Sequence, residues 1–515
     1  MSSGLGPRQA AALLAALSIP LIFFRLGTYS VVNGDEAFYH YVARHMVRTG
    51  NWWRLEFTGE HRVYDTFLNA PLQYWARAVL IMLFGDSNWT MRLLSASFAV
   101  LSVLMTFKLV AHISGAHAGL VAGLVQLTTF QFLYLHSART GELEPIVCFL
   151  LTLAAYLFLR AMETGRSFLP HHLCLIALAN VKLPLLVVPV AAELAYFALA
   201  RPGWRRFLEW AASGTLVVLG LAWHLLHYLG LGGEARLVLA KMSNQASGDA
   251  PQTDLGISGN AISYAHTLIF GAFPYALLYP VSIAGLIATG WKRGVGTGVQ
   301  LLLLYLAAVC VFFILVAKFF PWYIIPLYPF ASGLVAIWLQ RVVAEKRSAW
   351  LVGPIALVAG FAVGLRVGDF NPFAVRAMTL PGHLLSWREI AGLGPALGVP
   401  LVVLVVTTVL VLLWRASGPR FVRPAGLLFL GALIAVGGYR MAVPLRYMQH
   451  QSQMETLRAR IDGDRAAGRP LDLPIRVTEP GEIRARYFFA DDFRIVRARP
   501  GRDNGAYFLL VGEKD

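Results

Sequence analysis

The sequence predicts an all-α polytopic membrane protein of about 12–13 transmembrane helices, followed by a small extracytoplasmic α/β domain at the carboxyl terminus. Three observations carry this. Of 515 residues, 57% are hydrophobic and 14% charged, against about 25% charged in an ordinary soluble domain. Apolar runs of spanning length recur from residue 9 to residue 445. At residue 447 the composition changes: the tail carries 12 Lys+Arg and 11 Asp+Glu, whereas residues 1–446 hold 32 basic and 17 acidic residues.

Taken in order, spans are expected near 9–28, 92–112, 117–136, 145–161, 171–181, 184–200, 207–229, 262–288, 298–317, 321–340, 349–368, 395–414 and 424–445. The first carries only Arg8 before it and no small-residue cleavage signal after it, so it reads as an anchor. Between the first two spans, Asn69–Gly85 sets Leu72, Trp75, Val79, Met82 and Leu83 against Gln73, Arg77 and Asp86, a helix expected to lie along the membrane interface. The runs 171–181 and 184–200 are separated by Asn180-Val181-Lys182-Leu183-Pro184, which reads as a hairpin tip, leaving open whether they make one span or two. In the tail, Ile475–Val477, Tyr487–Phe489, Phe493–Val496 and Tyr507–Val511 read as short strands between Pro and Gly turns. The expected organisation is thus a membrane module at 1–340 with an outer loop at 29–91, further spans at 341–446, and a small soluble domain at 447–515.

A net charge of +16 in a soluble chain suggests nucleic acid. Here the charges fall in short clusters between apolar runs, the pattern of orientation in an anionic bilayer, which argues against a nucleic-acid partner. Arg160 and Arg166; Arg201, Arg205 and Arg206; Lys292 and Arg293; Arg341, Lys346 and Arg347; and Arg415, Arg420 and Arg423 occupy alternate connections. The positive-inside rule places these in the cytoplasm, and thirteen crossings then put the amino terminus inside and the carboxyl terminus outside. Cys148, Cys174 and Cys310 lie inside apolar runs and read as small core residues.

That orientation gathers a few charged residues at the outer face. Asp35 and Glu36 follow the first span in Asn33-Gly34-Asp35-Glu36, with Tyr39, Tyr41 and Arg44 on the same expected helix. Paired carboxylates there can supply a base or hold a cation; they can also simply cap the helix. Glu144 precedes Pro145 at the start of a span, where an acid is also favoured by the helix dipole. Lys182 and Lys318 stand alone in apolar sequence, either as snorkelling anchors or as groups that accept an anionic headgroup. The histidines at 112, 117, 171, 172, 224 and 227 read as packing or interfacial residues.

In this order and spacing, Gly34-Asp35-Glu36 with Tyr39 and Arg44, Gly50-Asn51-Trp52, Tyr74-Trp75, Glu144-Pro145, the Lys182 hairpin and Ala317-Lys318…Pro321-Trp322-Tyr323 resemble the bacterial relatives of protein O-mannosyltransferases. Among these the chain looks most similar to the aminoarabinose transferases of lipid A and related galacturonosyl and mannosyl transferases, over about residues 9–340. The resemblance implies a GT-C fold in the bacterial inner membrane, most simply as a monomer. It further implies inverting transfer of one sugar from a polyprenyl-phosphate donor to a lipid, glycan or protein acceptor at the periplasmic face. By position, Asp35 would be the general base with Glu36 beside it and Glu144 as the second acidic element; Lys182, Lys318, Tyr323 and, more weakly, Arg44 would hold the donor phosphate. A secondary transporter or lipid flippase is the competing class, although no internal repeat supports it.

Two departures stand out. Where the family has an acidic-Lys-Pro segment, this chain reads Phe67-Leu68-Asn69-Ala70-Pro71, and its loop at 230–261 holds no histidine. A divalent metal and the identity of the sugar therefore do not carry over from the resemblance.

Overall fold

The computed structural model describes residues 6–28, 31, 34–53, 55–59, 62–65, 71–134, 136–221, 256–272, 275–293, 296–316 and 319–344, with short pieces at 463, 466–467, 475–477, 495–497 and 507–509. The expected spans at 349–368, 395–414 and 424–445, and the strand at Tyr487–Phe489, lie outside the described residues.

A helix α1 (Pro7–Phe23) leads to α2 (Gly34–Thr49), an antiparallel pair β1 (Glu56–Gly59) and β2 (Arg62–Asp65), and α3 (Leu72–Phe84). Long helices follow: α4 (Asn88–Ser114), α5 (Ala116–Leu127) with the short α6 (Phe130–Tyr134), and α7 (Glu144–Thr164). Then come α8 (Leu169–Lys182), a 3₁₀ turn (Leu183–Leu186), α9 (Val187–Ala200) and α10 (Trp204–Gly220). The last described helices are α11 (Gly256–Gly271), α12 (Leu278–Arg293), α13 (Thr297–Leu315) and, after a 3₁₀ segment (Pro321–Leu327), α14 (Tyr328–Ala344). In the tail, β3 (Ile475–Val477) pairs in parallel with β4 (Ile495–Arg497) on one side and β5 (Tyr507–Leu509) on the other.

Among the described residues, five helical stretches are long and apolar enough to cross a membrane: Asn88–Ser114, Glu144–Thr164, Leu169–Ala200, Thr297–Leu315 and Pro321–Val342. The third is not one crossing. His171 and Glu193 lie 22 positions apart yet meet at 3.0 Å, whereas a straight helix would separate them by about 33 Å. The chain folds back at Lys182, so α8 and α9 form the two legs of a hairpin. Each leg has 14 residues, about 21 Å of helix against an apolar core of about 30 Å.

The expected single span at 262–288 is corrected in a different way. It divides into α11, which ends at Gly271, and α12, which follows a 3₁₀ turn at Tyr275–Leu277. The two pieces run on in one sense: Asn260 donates to the carbonyls of Ile314 and Val316 at the end of α13, while Gly285 lies against Trp338 far along α14. The run at 117–136 likewise breaks at Thr128, and residues 137–143 form turns.

The amphipathic segment is a helix as expected, with its faces assigned by packing. Gln73, Tyr74, Arg77, Ala78 and Ile81 of α3 are buried against the protein, while Leu72, Val79, Met82, Leu83 and Phe84 are exposed. A helix that hides its polar side and presents its apolar side has lipid as its outer solvent.

The bundle has two chemically distinct ends. At one, His112 meets Glu163, Ser114 meets Gln340, and Arg206 donates to the carbonyls of Ala161 and Arg166. Arg160, Arg166, Arg201, Arg205 and Arg341 belong to this end. The other end receives the start of α2, the start of α4, the 136–144 turn, the Lys182 tip and the 321–327 segment, and there the acids gather.

Candidate active site

Three buried arginines build the acidic end. Arg92 of α4 forms a bidentate pair with Glu36 of α2, Nε to Oε2 at 3.1 Å and Nη2 to Oε1 at 3.2 Å, and donates from Nη1 to the Leu26 carbonyl. Arg77 of α3 donates to Gln73, to the Met91 carbonyl and to the Gly141 carbonyl at 2.7 Å. Arg139 donates to the carbonyls of Leu21, Ile22 and Phe24, three of the acceptors that the end of α1 leaves without helical partners. The 139–143 turn is thereby held by its backbone: Gly141 N–H donates to Glu36 and the Glu142 carbonyl accepts from Ser95. Position 141 is crowded, since a Cβ would stand 3.0 Å from the Met91 carbonyl oxygen and 3.1 Å from the Glu36 Cβ.

On this frame sits a chain of polar groups. Asp35, in the first turn of α2, has its side chain 46% exposed and its Oδ2 3.9 Å from His136 Nδ1. Glu142, buried, places Oε1 3.4 Å from the same nitrogen. This is the separation of an ion pair outside hydrogen-bonding geometry, and both buried atoms lack a hydrogen-bond partner. Burial raises the Glu142 carboxyl while His136 opposes the rise. On His136 burial works downward, but the Glu142 carboxylate outweighs it, Asp35 adds to the effect, and the ring is lifted to about 9. His136 also holds a left-handed backbone, φ 49°, which costs a non-glycine residue about 1–3 kcal/mol and tends to occur at working sites.

The imidazole stacks on Trp322, centroids 3.7 Å apart and 5° from parallel. Beside Trp322, the Tyr323 ring lies 4.7 Å beneath the Lys182 ammonium, which reaches Glu144 at 3.4 Å. Glu144 opens α7 as expected, with Pro145 in its first turn. The arrangement thus runs without a gap from Asp35 through His136 and Trp322 to Tyr323, Lys182 and Glu144.

The other expected site residues fall differently. Glu36 is fully buried and spends both oxygens on Arg92 and Gly141, so it braces the site. Arg44 lies about 13 Å further along α2 from Asp35 and is engaged by Asp86 at 3.4 Å, beside the 2.7 Å His40–Asp86 contact. Lys318 is outside the described residues. His136, missed in the sequence, was placed inside an expected span; the nearest signal for it was the adjacent Arg-Thr-Gly-Glu turn.

Asp35, His136 and Glu142 each offer one ligand atom, all within 4.8 Å of one another. One imidazole nitrogen and two carboxylates, two of the three atoms buried and without a hydrogen bond, suit a small divalent cation.

Comparison with known proteins bears on the fold that carries these residues. The sequence model of the family described as dolichyl-phosphate-mannose-protein mannosyltransferase matches residues 69–227. ArnT from Cupriavidus metallidurans, solved bound to undecaprenyl phosphate, superposes with a TM-score of 0.63 at 16% identity, covering 94% of this chain and 85% of that one. The fold is GT-C. Arabinosyltransferase EmbB from Mycobacterium smegmatis shares the GT-C architecture at a TM-score of 0.52 and 15% identity, over 87% of this chain and 42% of that one.

In sequence the GT-C chain is similar to the undecaprenyl phosphate-alpha-4-amino-4-deoxy-L-arabinose arabinosyl transferase of Edwardsiella ictaluri, 26% identical over 345 residues, 63% of this chain and 59% of that protein. It is also similar to an uncharacterized protein of Aquifex aeolicus, 27% identical over 216 residues, 41% of this chain and 42% of that protein. The alignments thus span 42% and 59% of the lengths of these two relatives.

Proposed function

We propose that this protein is a membrane glycosyltransferase that moves one sugar from a polyprenyl-phosphate donor to a hydroxyl or phosphate oxygen of an envelope acceptor. The observation that carries the reading is that a half-exposed carboxylate, Asp35, beside His136 and an ammonium, Lys182, beside Glu144 lie at the same end of the bundle. In this reading Asp35 takes the proton of the acceptor as the acceptor oxygen bonds to the anomeric carbon. The bond from that carbon to the phosphate oxygen breaks on the opposite side, so the configuration inverts and polyprenyl phosphate leaves. The charge gathering on the departing phosphate is met by Lys182, with Tyr323 beneath it and Lys318 as a second candidate. Glu36 keeps α2 in place through Arg92, and Glu144 orients the Lys182 ammonium.

Asp35, His136 and Glu142 would hold a divalent cation, which when bound would supply positive charge at the acidic end of the site. The exposed apolar face of α3 suits a donor whose chain stays in lipid. The basic end faces the cytoplasm by the charge rule, which places the acidic end in the periplasm of an inner membrane and the amino terminus inside.

The test is release of free polyprenyl phosphate from a labelled polyprenyl-phosphate sugar by the purified protein in lipid. Release that disappears in Asp35→Asn supports the reading. Full turnover in that variant would remove Asp35 as the base, and movement of the intact donor across vesicles without release would make the protein a flippase.

A further inference from the structure

A second buried charge cluster lies among the helices, and the transfer chemistry leaves it unused. Glu193 of α9 is fully buried and faces three partners: His171 Nε2 at 3.0 Å and Trp210 Nε1 at 2.8 Å on Oε2, and the Tyr305 hydroxyl at 2.6 Å on Oε1. The other His171 nitrogen, Nδ1, stands 3.1 Å from the Ala154 carbonyl. A carbonyl only accepts, so Nδ1 carries a hydrogen. The cluster therefore takes one group from each of α7, α8, α9, α10 and α13.

Ionisable groups in apolar surroundings are expensive, and well-packed apolar residues can replace a buried ion pair with no loss of stability. Stability alone does not account for this cluster. Its place in the chain suggests another purpose. His171 and Glu193 are each eleven residues from Lys182, one on either leg of the hairpin. Eleven helical residues span about 16 Å, so the pair joins the legs at equal distances from the tip. Apolar legs of 14 residues can pack in more than one register; a carboxylate with three directional partners accepts one.

We infer that the His171–Glu193 pair pins the register of the α8–α9 hairpin and thereby positions Lys182 against Glu144 and over Tyr323. His171, Glu193 and Tyr305 are positioning residues that touch no substrate. The inference rests on the reading of Lys182 as the group that meets the donor phosphate.

The experiment measures donor KM and kcat of the full chain in lipid for Glu193→Gln, in the wild-type and Lys182→Ala backgrounds. Tyr305→Phe, which removes one partner and keeps the ring, serves as the milder variant should Glu193→Gln fold poorly. Glu193→Gln is expected to raise donor KM roughly tenfold with kcat little changed, and to add nothing once Lys182 is Ala. A full additive effect in the Lys182→Ala background, or an unchanged KM in folded Glu193→Gln and Tyr305→Phe, would overturn the pin.

Hydrogen exchange at residues 180–186 supplies a readout independent of activity. Faster exchange there in either variant, with α4 and α7 unaffected, supports the pin; unchanged protection overturns it. If Lys182→Ala leaves donor KM unchanged while exchange at the tip accelerates in the pin variants, the phosphate role of Lys182 fails and the positioning of the tip stands.

Discussion

Glu142 and Glu193 are both buried carboxylates facing a histidine, at 3.4 Å from His136 and 3.0 Å from His171. Around Glu193, Trp210 and Tyr305 add donors and the second His171 nitrogen meets a carbonyl. Around Glu142, its own Oε1 and His136 Nδ1 are left without hydrogen bonds, Asp35 brings a further negative charge, and the His136 backbone is strained. A satisfied buried network holds helices together; an unsatisfied one holds room for a ligand. Within one bundle the two clusters separate a satisfied network from a candidate site.

The sharpest way to break this comparison is Glu142→Gln. If Glu142 holds a cation that serves the reaction, turnover in the variant falls about 10²–10³-fold while the melting temperature in detergent stays near wild type; loss of stability with retained turnover would class it with Glu193. Next comes Arg92→Leu, which removes the bidentate partner of the buried Glu36 carboxylate and is expected to destabilise by about 3–5 kcal/mol, read from thermal or denaturant unfolding. Adding Glu36→Leu should recover much of that loss.

A smaller effect is expected from Lys182→Ala. Loss of one charge-assisted contact to the donor phosphate, about 1.5–3 kcal/mol, should weaken donor binding by about 10–100-fold in a titration with polyprenyl phosphate. The smallest belongs to Trp322→Leu, which removes the aromatic face under His136, about 0.5–2 kcal/mol, visible as a several-fold loss of turnover. A Trp322→Leu defect larger than that of Lys182→Ala would mean that the indole contacts the sugar itself.

Much of this was legible in the sequence because membrane spans announce themselves by length and apolar content. The order of the described helices through residue 340, the amphipathic α3, the Lys182 hairpin and the Glu144-Pro145 helix start all follow local rules and appear in the structure. The split of 262–288 into α11 and α12 was hidden because both halves are apolar, and composition does not register a break of a few residues.

The roles of neighbouring carboxylates were not legible. Asp35 and Glu36 are adjacent in sequence, yet a helical step of about 100° turns one toward solvent and the other toward Arg92. Glu142 and Glu144 part in the same way, one toward His136 and the other toward Lys182. His136 gained its meaning only from a left-handed turn and from a tryptophan 186 positions away.

The arginine frame also orders the protein's assembly in time. Its links, Arg92 to Glu36, Arg77 to Gly141 and Arg139 to Leu21, all close within the first 142 residues, whereas Trp322 and Tyr323 are synthesised some 180 residues later. A nascent chain emerging from the ribosome can thus complete the frame that fixes Glu36 and the 139–143 turn while the aromatic wall of Trp322 and Tyr323 does not yet exist. The half-built protein can hold its carboxylates in place before the ring that stacks on His136 has been made.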